Sequence, residues 1–273
     1  MLFSHLNQRD KKLINIIFLI IITFLIYHNC IISELVNLDD PLYITDNPDI
    51  RELSISQLKK IFFSFHKGAY KPLTLLSYMI EYKFFGMNPA VFHFTNVLLH
   101  SINCILVFFL ILFFAENQII IAFFTALLFC IHPMRVESVA WASERKDMLY
   151  SVFLLSFFLC YVIYLKNSNK KIYWLALLFF IFSMLVKPQG ITAPILLLLF
   201  DYYFLGISKL TDFDFQKNKL AFIFVSLFFV ILNLLGNSIE KGFIFHSLLD
   251  SIFIGAYNYL FYLYKFFLPI NLT

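Results

Sequence analysis

The sequence predicts an all-α, polytopic membrane protein, and three observations lead to that class. The 273 residues are 61% hydrophobic and only 14% charged, whereas soluble domains carry about 25% charged residues. The apolar residues fall in blocks close to the roughly 20 residues that a helix needs to cross a bilayer. A membrane β-barrel would instead show alternating segments of about ten residues. We therefore predict a single membrane domain, residues 1-273, with a bundle of about eight transmembrane helices.

The first predicted span, residues 13-32, follows Arg9, Lys11 and Lys12. Its apolar run is longer than that of a cleaved signal peptide, and no A-x-A-like cleavage site follows it. Lysines and arginines concentrate in cytoplasmic loops, so we expect a retained signal anchor with a cytoplasmic N-terminus.

A long first extracytoplasmic loop, residues 33-90, is predicted to follow. Residues 50–65 show helical apolar spacing with lysines between, which is typical of an amphipathic helix in the membrane interface. Residues 73–85 form a second apolar helix that is too short to span easily. The remaining spans lie in residues 91-269, with predicted segments 91–115, 118–131, 148–165, 172–204 (two spans broken at 187–190), 220–236 and 251–269.

The cysteines and the net charge exclude several function classes. Cys30, Cys104, Cys130 and Cys160 all lie in apolar blocks and form no CxxC pair, so disulfide and zinc sites have little support. We expect these side chains to pack as small hydrophobic groups. The net charge of +4 is modest, and the basic residues lie mostly in loops, so no nucleic-acid partner is expected.

Two adjacent carboxylates, Asp39 and Asp40, come directly after the first span. Charged groups at such a position are costly, which favours a functional role. Two further polar segments, residues 132–147 and 187–190, are expected on the same, non-cytoplasmic side of the membrane. We predict that these three distant segments converge on one pocket.

A polar face is predicted on the span that begins near residue 91. His93, Asn96 and His100 are three and four residues apart and share one helical face. Their spacing would allow metal binding, but polar packing between helices is the favoured interpretation. No HExxH motif is present, and we predict no metal and no cofactor other than a lipid-linked donor substrate.

Five motifs carry a resemblance to a known family. They are LDDxxYxxxNP from Leu38, YKPL from Tyr70, FHxxNxxxH from Phe92, HPxxVExVAWxxxRKD from His132 and KPxGxTxPxxLLLxDY from Lys187. In this order the sequence resembles the GT-C membrane glycosyltransferases, and most of all the O-mannosyltransferases that carry tetratricopeptide repeats, with their bacterial relatives. The HPxxVExVAWxxxRKD motif is the most specific of the five.

The resemblance implies a GT-C-like bundle and a reaction. Members move a sugar from a polyprenyl-phosphate or dolichyl-phosphate carrier to an acceptor hydroxyl outside the cytoplasm. It implies that Asp39 or Asp40 is the general base, because the attacking hydroxyl must lose its proton as the bond forms. A neighbouring carboxylate would make that base stronger. One direct displacement would invert the anomeric carbon of mannose or another hexose, and the acceptor would be a protein or a glycan.

The leaving lipid phosphate needs fixed cations, which arginine and lysine provide. We assign donor-phosphate and lipid-sugar binding to Arg135, Glu137, Trp141, Arg145, Lys146 and Lys187. On one helix, Glu137 and Arg145 would lie one turn either side of Trp141 and bracket its indole. The residues assigned to the acceptor or to the cavity lining are Tyr70, Lys71, His93, Asn96 and His100.

Two departures from the family pattern keep other interpretations open. No tetratricopeptide domain follows the last span, and the chain stops where relatives continue, so we expect a truncated product or a fragment. The alternatives are a transporter or flippase of lipid-linked substrates, and a non-catalytic fragment of a longer membrane enzyme. The expected partners include membrane lipid. We expect the protein to lie in the bacterial inner membrane, with the endoplasmic reticulum membrane as the second expectation.

Overall fold

The computed structural model describes residues 7–66, 68–206, 212, 216–240 and 248–270, without the side chains of residues 237–240 and 248. Within these ranges every regular element is a helix, so the predicted all-α class is confirmed.

The helices are numbered in chain order over the described residues. They are α1 (Gln8–Ile26), α2 (His28–Ile31), α3 (Ile55–Phe63), α4 (Pro72–Phe85), α5 (Pro89–Phe114), α6 (Ile119–Ile131), α7 (Val136–Ala140), α8 (Arg145–Asn167), α9 (Lys170–Val186), α10 (Ala193–Leu205), α11 (Leu220–Glu240) and α12 (Leu248–Phe267). A π-helical turn lies at Pro41–Thr45, and single 3-10 turns lie at Pro48–Ile50, Pro133–Arg135, Ala142–Glu144, Gly190–Thr192 and Lys217–Lys219.

Three segments of the described chain are long and apolar enough to cross a bilayer, namely Pro89–Phe114, Ala142–Asn167 and Lys217–Gly236. A fourth arises if Ile119–Ile131 and Pro133–Ala140, bent by 57° at their junction, form one broken span. The chain is therefore a membrane protein. The count of about eight spans stays a prediction: α1 carries charges in its first turn, and α9 has only 17 residues.

Helix α1 differs in its bounds from the predicted first span, residues 13-32. It begins after Asn7, whose side chain caps the helix by accepting from the Asp10 N–H at 2.8 Å. It ends at Ile26, and the last part of the predicted span forms the separate short helix α2. Leu19 of α1 packs in one apolar cluster with α5 and α6, so α1 belongs to the bundle.

The region predicted as an extracytoplasmic loop with interface helices, residues 33-90, contains α3 and α4. Helix α4 packs into the bundle, because Tyr78 and Met79 are fully buried and the helix contacts α5, α8 and α9. Thr74 donates to the Val186 carbonyl at the end of α9, at 3.1 Å. This part of the chain therefore builds one end of the bundle, where α9 also ends.

Helices α8 to α11 share the largest apolar core of the described chain. Helix α8 lies along α9, and Phe157, Phe180 and Phe222 are fully buried where α8, α9 and α11 meet. Their rings are 5.0 to 5.7 Å apart between centroids, a normal separation for packed aromatic pairs. This aromatic core packs α8, α9 and α11 against one another.

The chain between α6 and α8, which contains most of the predicted polar segment 132–147, consists of short helical turns. Pro133 has no N–H to continue α6, which ends just before it at Ile131. Trp141 then adopts an extended backbone conformation, with φ −82° and ψ 120°, and separates α7 from the turn before α8. This interruption at Trp141, called the break below, lies against α4 and α5.

Candidate active site

Side chains from two other helices hold the break at Trp141. An interrupted helix leaves carbonyl groups without partners, and burying them unpaired costs free energy. Asn96 of α5 donates to the Trp141 carbonyl at 2.9 Å, and the Tyr78 hydroxyl of α4 donates to the Ala142 carbonyl at 3.0 Å. The break is therefore a fixed feature of the bundle.

Asp40, in the first loop, also binds the chain at this break. Its Oδ1 accepts the Ser143 N–H at 2.9 Å, and its Oδ2 accepts the Val36 N–H at 2.8 Å. The residue has no exposed surface. Both carboxylate oxygens thus serve backbone donors, and Asp40 ties the first loop to the start of α8. These contacts show that the first two polar segments converge, as the sequence predicted.

Asp39 is the neighbour of Asp40 but has a different environment. Its side chain is 40% exposed, and its Oδ2 lies 3.3 Å from Lys146 Nζ. The Lys146 ammonium also pairs with Glu144 at 2.8 Å and is almost buried. Asp39 is therefore an accessible carboxylate beside a cation that two acidic groups hold in place.

Tyr43, close to Asp39 in the chain, contacts two lysines. The Lys71 ammonium donates to the Tyr43 hydroxyl at 3.1 Å. The Lys71 and Lys146 ammonium groups lie 5.4 and 5.1 Å from the centroid of the same ring, within the range of cation–π attraction. Lys71, which the sequence assigned to the acceptor or the cavity lining, therefore reaches the Asp39–Lys146 group. We call the set Asp39, Tyr43, Lys71, Glu144 and Lys146 the loop-end cluster.

Arg145 lies next to Lys146 but points into the bundle. Its guanidinium is fully buried, pairs with Glu81 of α4, and donates to Asn96 Oδ1 at 3.0 Å and to the Phe92 carbonyl at 2.7 Å. Each of the three guanidinium nitrogens of Arg145 therefore has a hydrogen-bond partner within the protein. The geometry supports a role for Arg145 in packing α8 against α4 and α5.

The predicted shared face of Glu137, Trp141 and Arg145 is wrong. The three residues do not lie on one helix, because the chain is extended at Trp141 and α8 begins only at Arg145. Glu137 is exposed whereas Arg145 is fully buried, so they do not bracket the indole. Trp141 instead contacts the loop-end cluster through Lys146, whose ammonium lies 5.8 Å from the indole ring.

The third polar segment also reaches the start of α8. Lys187 pairs with Asp147, and both side chains are partly exposed. Arg135 is close enough to interact electrostatically with Asp147, and its guanidinium lies 4.8 Å from the centroid of the Phe129 ring. Asp147 thus pairs with Lys187 and lies within electrostatic range of Arg135, two cations that the sequence assigned to the donor phosphate.

Tyr70 and His93 contact groups outside the loop-end cluster. The hydroxyl of Tyr70, which is half-buried, donates to the Phe62 carbonyl at 2.9 Å, and burial raises the pKa of this phenol, which keeps it protonated. His93 is buried near backbone atoms of Glu34 and Ala140. The contacts of both side chains are thus with other parts of the protein.

Asn96 and His100 also face the interior. Asn96 holds the break, as described above, and His100 lies deeper in α5, with Nε2 3.1 Å from the Cys130 carbonyl oxygen. The predicted polar face of α5 thus turns toward α6 and the break. The involvement of these residues in acceptor binding stays a prediction.

Four residues of this site were not singled out from the sequence: Tyr43, Ser143, Glu144 and Asp147. Tyr43 is four residues beyond Asp39 within the LDDxxYxxxNP motif, so its position in the motif could have indicated it. Glu144 and Asp147 flank the Arg145-Lys146 pair and neutralise neighbouring cations. Ser143 contributes its backbone N–H, and no side-chain pattern signals such a role.

The chain is similar to several curated protein O-mannosyl-transferases. Protein O-mannosyl-transferase TMTC4 of Homo sapiens is 35% identical over 161 residues, which are 52% of this chain and 22% of the relative. Protein O-mannosyl-transferase TMTC1 of Mus musculus is 32% identical over 190 residues, 60% of this chain and 20% of the relative. The similarity to O-mannosyltransferases that the sequence predicted is confirmed.

Protein O-mannosyl-transferase TMTC3 of Homo sapiens matches in the same way, with 29% identity over 168 residues, 56% of this chain and 18% of the relative. The chain spans about a fifth of the length of the curated relatives it matches. No family model and no solved structure matches the chain. The relatives thus identify the kind of enzyme to which this membrane region is similar.

Proposed function

We propose that this chain is the catalytic membrane part of a glycosyltransferase that moves mannose or another hexose from a polyprenyl-phosphate or dolichyl-phosphate carrier to a protein or glycan hydroxyl. Two findings support this: the similarity to enzymes named protein O-mannosyl-transferases, and a cluster that pairs an accessible carboxylate with fixed cations.

The observation that carries the proposal is the difference between Asp39 and Asp40. A general base must come within hydrogen-bonding distance of the hydroxyl whose proton it takes. Asp40 has no exposed surface, and both its oxygens already accept backbone N–H groups. Asp39 is 40% exposed, and among the described residues its carboxylate bonds only to Lys146, through Oδ2. We therefore assign the base to Asp39 and a positioning role to Asp40.

The cations of the cluster divide between two tasks. Lys146 is held between Asp39 and Glu144, so we assign to it the orientation of the base. Lys71 pairs with no carboxylate among the described residues and bonds only to the neutral Tyr43 hydroxyl. An ammonium with spare positive charge is suited to a phosphate oxygen. We assign the donor phosphate to Lys71, with Lys187 and Arg135 as further contacts.

Trp141 supplies a further feature of the proposed donor site. Its indole nitrogen is buried and has no hydrogen-bond partner among the described residues. An unpaired buried donor costs about 1–3 kcal/mol, and a sugar hydroxyl or a phosphate oxygen would satisfy it. We propose that the indole contacts the sugar-phosphate of the donor while Lys146 keeps its ring in place.

The topology proposed with this function puts the N-terminus in the cytoplasm and the loop-end cluster on the opposite side. About eight spans and an inverting displacement complete the proposal, with the bacterial inner membrane as first location and the endoplasmic reticulum as second. No cofactor takes part in the proposed transfer.

The test compares two aspartate variants of the purified chain with wild type. Transfer of labelled mannose from its polyprenyl phosphate to an acceptor peptide is measured for wild type, Asp39→Asn and Asp46→Asn. Asp46 is an exposed aspartate of the same loop and is the matched control. We expect Asp39→Asn to lose about 10²- to 10⁴-fold in rate, the usual contribution of a general base, and Asp46→Asn to match wild type.

Three results would contradict the proposal. A normal rate for Asp39→Asn in correctly folded protein would remove the assigned base. Absence of transfer by the folded wild-type chain with each lipid-linked hexose would favour the non-catalytic alternative. Vesicles that move labelled lipid-linked sugar across the membrane without transferring it would favour a flippase.

A further inference from the structure

We propose that His100, Cys104 and Cys130 bind one zinc ion inside the helix bundle, away from the loop-end cluster. One ligand atom from each of the three side chains lies within 4.8 Å of the other two, and all three residues are buried. Two come from α5 and the third from the end of α6, so the group forms only when the helices pack.

The spacing of the donor atoms fits a tetrahedral ion. His100 and Cys104 are one helical turn apart on α5, and Nε2 lies 3.9 Å from Sγ. Two such atoms bound to the same zinc ion, with bonds of about 2.0 and 2.3 Å at a tetrahedral angle, are about 3.5 Å apart. A side-chain adjustment of a few tenths of an ångström therefore brings these atoms to bonding distance.

The imidazole has a nitrogen to offer. Nε2 lies 3.1 Å from the Cys130 carbonyl oxygen, whereas Nδ1 is buried with no hydrogen-bond partner among the described residues. Metal-binding imidazoles usually donate their other N–H to a carbonyl or a carboxylate. If Nδ1 binds the ion, the carbonyl contact is that second bond; if Nε2 binds, the ion replaces the carbonyl as its partner.

The side chain next to the fourth coordination position is Thr23 of α1. Its hydroxyl oxygen lies 3.1 Å from Cys130 Sγ and donates to the Leu19 carbonyl, and the side chain is fully buried. Zinc in proteins is bound by thiolate, imidazole and carboxylate groups, so the three side chains of α5 and α6 make the protein bonds to the ion. We therefore expect the ion to hold α5 against α6 and, because it lies away from the loop-end cluster, to take no part in sugar transfer.

The balance of charge selects the ion. Two thiolates and a neutral imidazole bring a charge of −2, which Zn²⁺ neutralises, whereas Cu⁺ would leave the site with a net charge of −1. A net charge in a dry interior carries a large desolvation cost. Sulfur and imidazole ligands also favour zinc over magnesium or calcium.

The experiment measures metal in the purified full chain, prepared without a polyhistidine tag. We expect about one zinc per chain by plasma mass spectrometry. We also expect the Co²⁺-substituted protein to show the strong visible absorption of a tetrahedral thiolate site. His100→Gln and Cys104→Ser should each remove most of the zinc. Cys160→Ser, a half-buried cysteine on α8 outside the group, should keep it.

If the variants fail to fold, the wild-type protein still tests whether zinc is bound. Removal of zinc by a chelator should lower its Tm, and added Zn²⁺ should restore it. Folded wild type without zinc and without the cobalt band would overturn the proposal. So would an intact mass two daltons low that recovers on reduction, together with a peptide map that joins Cys104 to Cys130, since the two thiols would then form a disulfide.

Discussion

The two charged doublets of the candidate site, Asp39-Asp40 in the first loop and Arg145-Lys146 at the start of α8, divide in the same way. In each doublet one residue is fully buried and bound within the fold, namely Asp40 and Arg145. Its neighbour belongs to the loop-end cluster, and Asp39 and Lys146 contact each other at 3.3 Å. Adjacent residues of like charge thus take opposite roles.

The buried members differ in what binds them. Asp40 is held by two backbone N–H groups, so its removal leaves unpaired neutral donors. Arg145 is held by the Glu81 carboxylate, so its removal leaves an unpaired charge in the bundle. An unpaired buried charge costs more than an unpaired neutral group. The buried arginine is therefore expected to contribute more to the free energy of unfolding than the buried aspartate.

The largest effect is expected from Arg145→Met. Because it leaves the Glu81 charge without its partner, the free energy of unfolding in detergent should fall by about 3–5 kcal/mol. Unfolding by denaturant, followed by tryptophan fluorescence, measures the change. The double variant Arg145→Met with Glu81→Leu is the control and should recover much of the loss. An Arg145→Met protein as stable as wild type would show that the pair with Glu81 does not stabilise the bundle.

A smaller effect is expected from Asp40→Asn. The amide provides one acceptor oxygen, so either the Ser143 or the Val36 N–H loses its partner, at a cost of about 1–3 kcal/mol. The same unfolding experiment gives the total change, and hydrogen exchange should be faster at the Ser143 or the Val36 amide. Unchanged exchange at both amides would show that Asp40 does not bind these two groups.

The smallest effect on stability is expected from Asp39→Asn. An ion pair with a partner this accessible contributes about 0.2–1 kcal/mol, so the unfolding free energy should change by less than about 1 kcal/mol. The variant should therefore combine near-normal stability with the loss of transfer described above. A cost as large as that of Asp40→Asn would mean that Asp39 also serves the fold, and the contrast within the doublet would disappear.

Much of the helical organisation could be predicted. The bounds of α5, α6 and α8 fall within a few residues of the predicted spans, because long apolar runs and the Pro133 stop leave few alternatives. The break at Trp141 could not be predicted. Nothing in the local sequence forbids a helix there, and the side chains that satisfy its carbonyls, Asn96 and Tyr78, come from α5 and α4.

The site was predictable in its segments but only partly in its residues. Three polar segments were expected to meet, and contacts such as Asp39–Lys146 and Lys187–Asp147 join them in two groups at the start of α8. The pairing of Arg145 with Glu81 was missed, because Glu81 lies in an apolar helix that was expected at the membrane interface. The His100, Cys104 and Cys130 group was missed as well, since its members belong to two helices and form no local motif.

Composition and the lengths of the apolar runs were enough to predict an all-helical membrane protein with its polar residues gathered in a few segments. The physical reason is that a backbone in lipid must satisfy its own hydrogen bonds, and apolar length then sets the helices. Which aspartate is accessible and which cation is buried depends on how the helices pack. The two members of each doublet carry the same charge, and they differ in environment because α4, α5 and α8 bring them different partners.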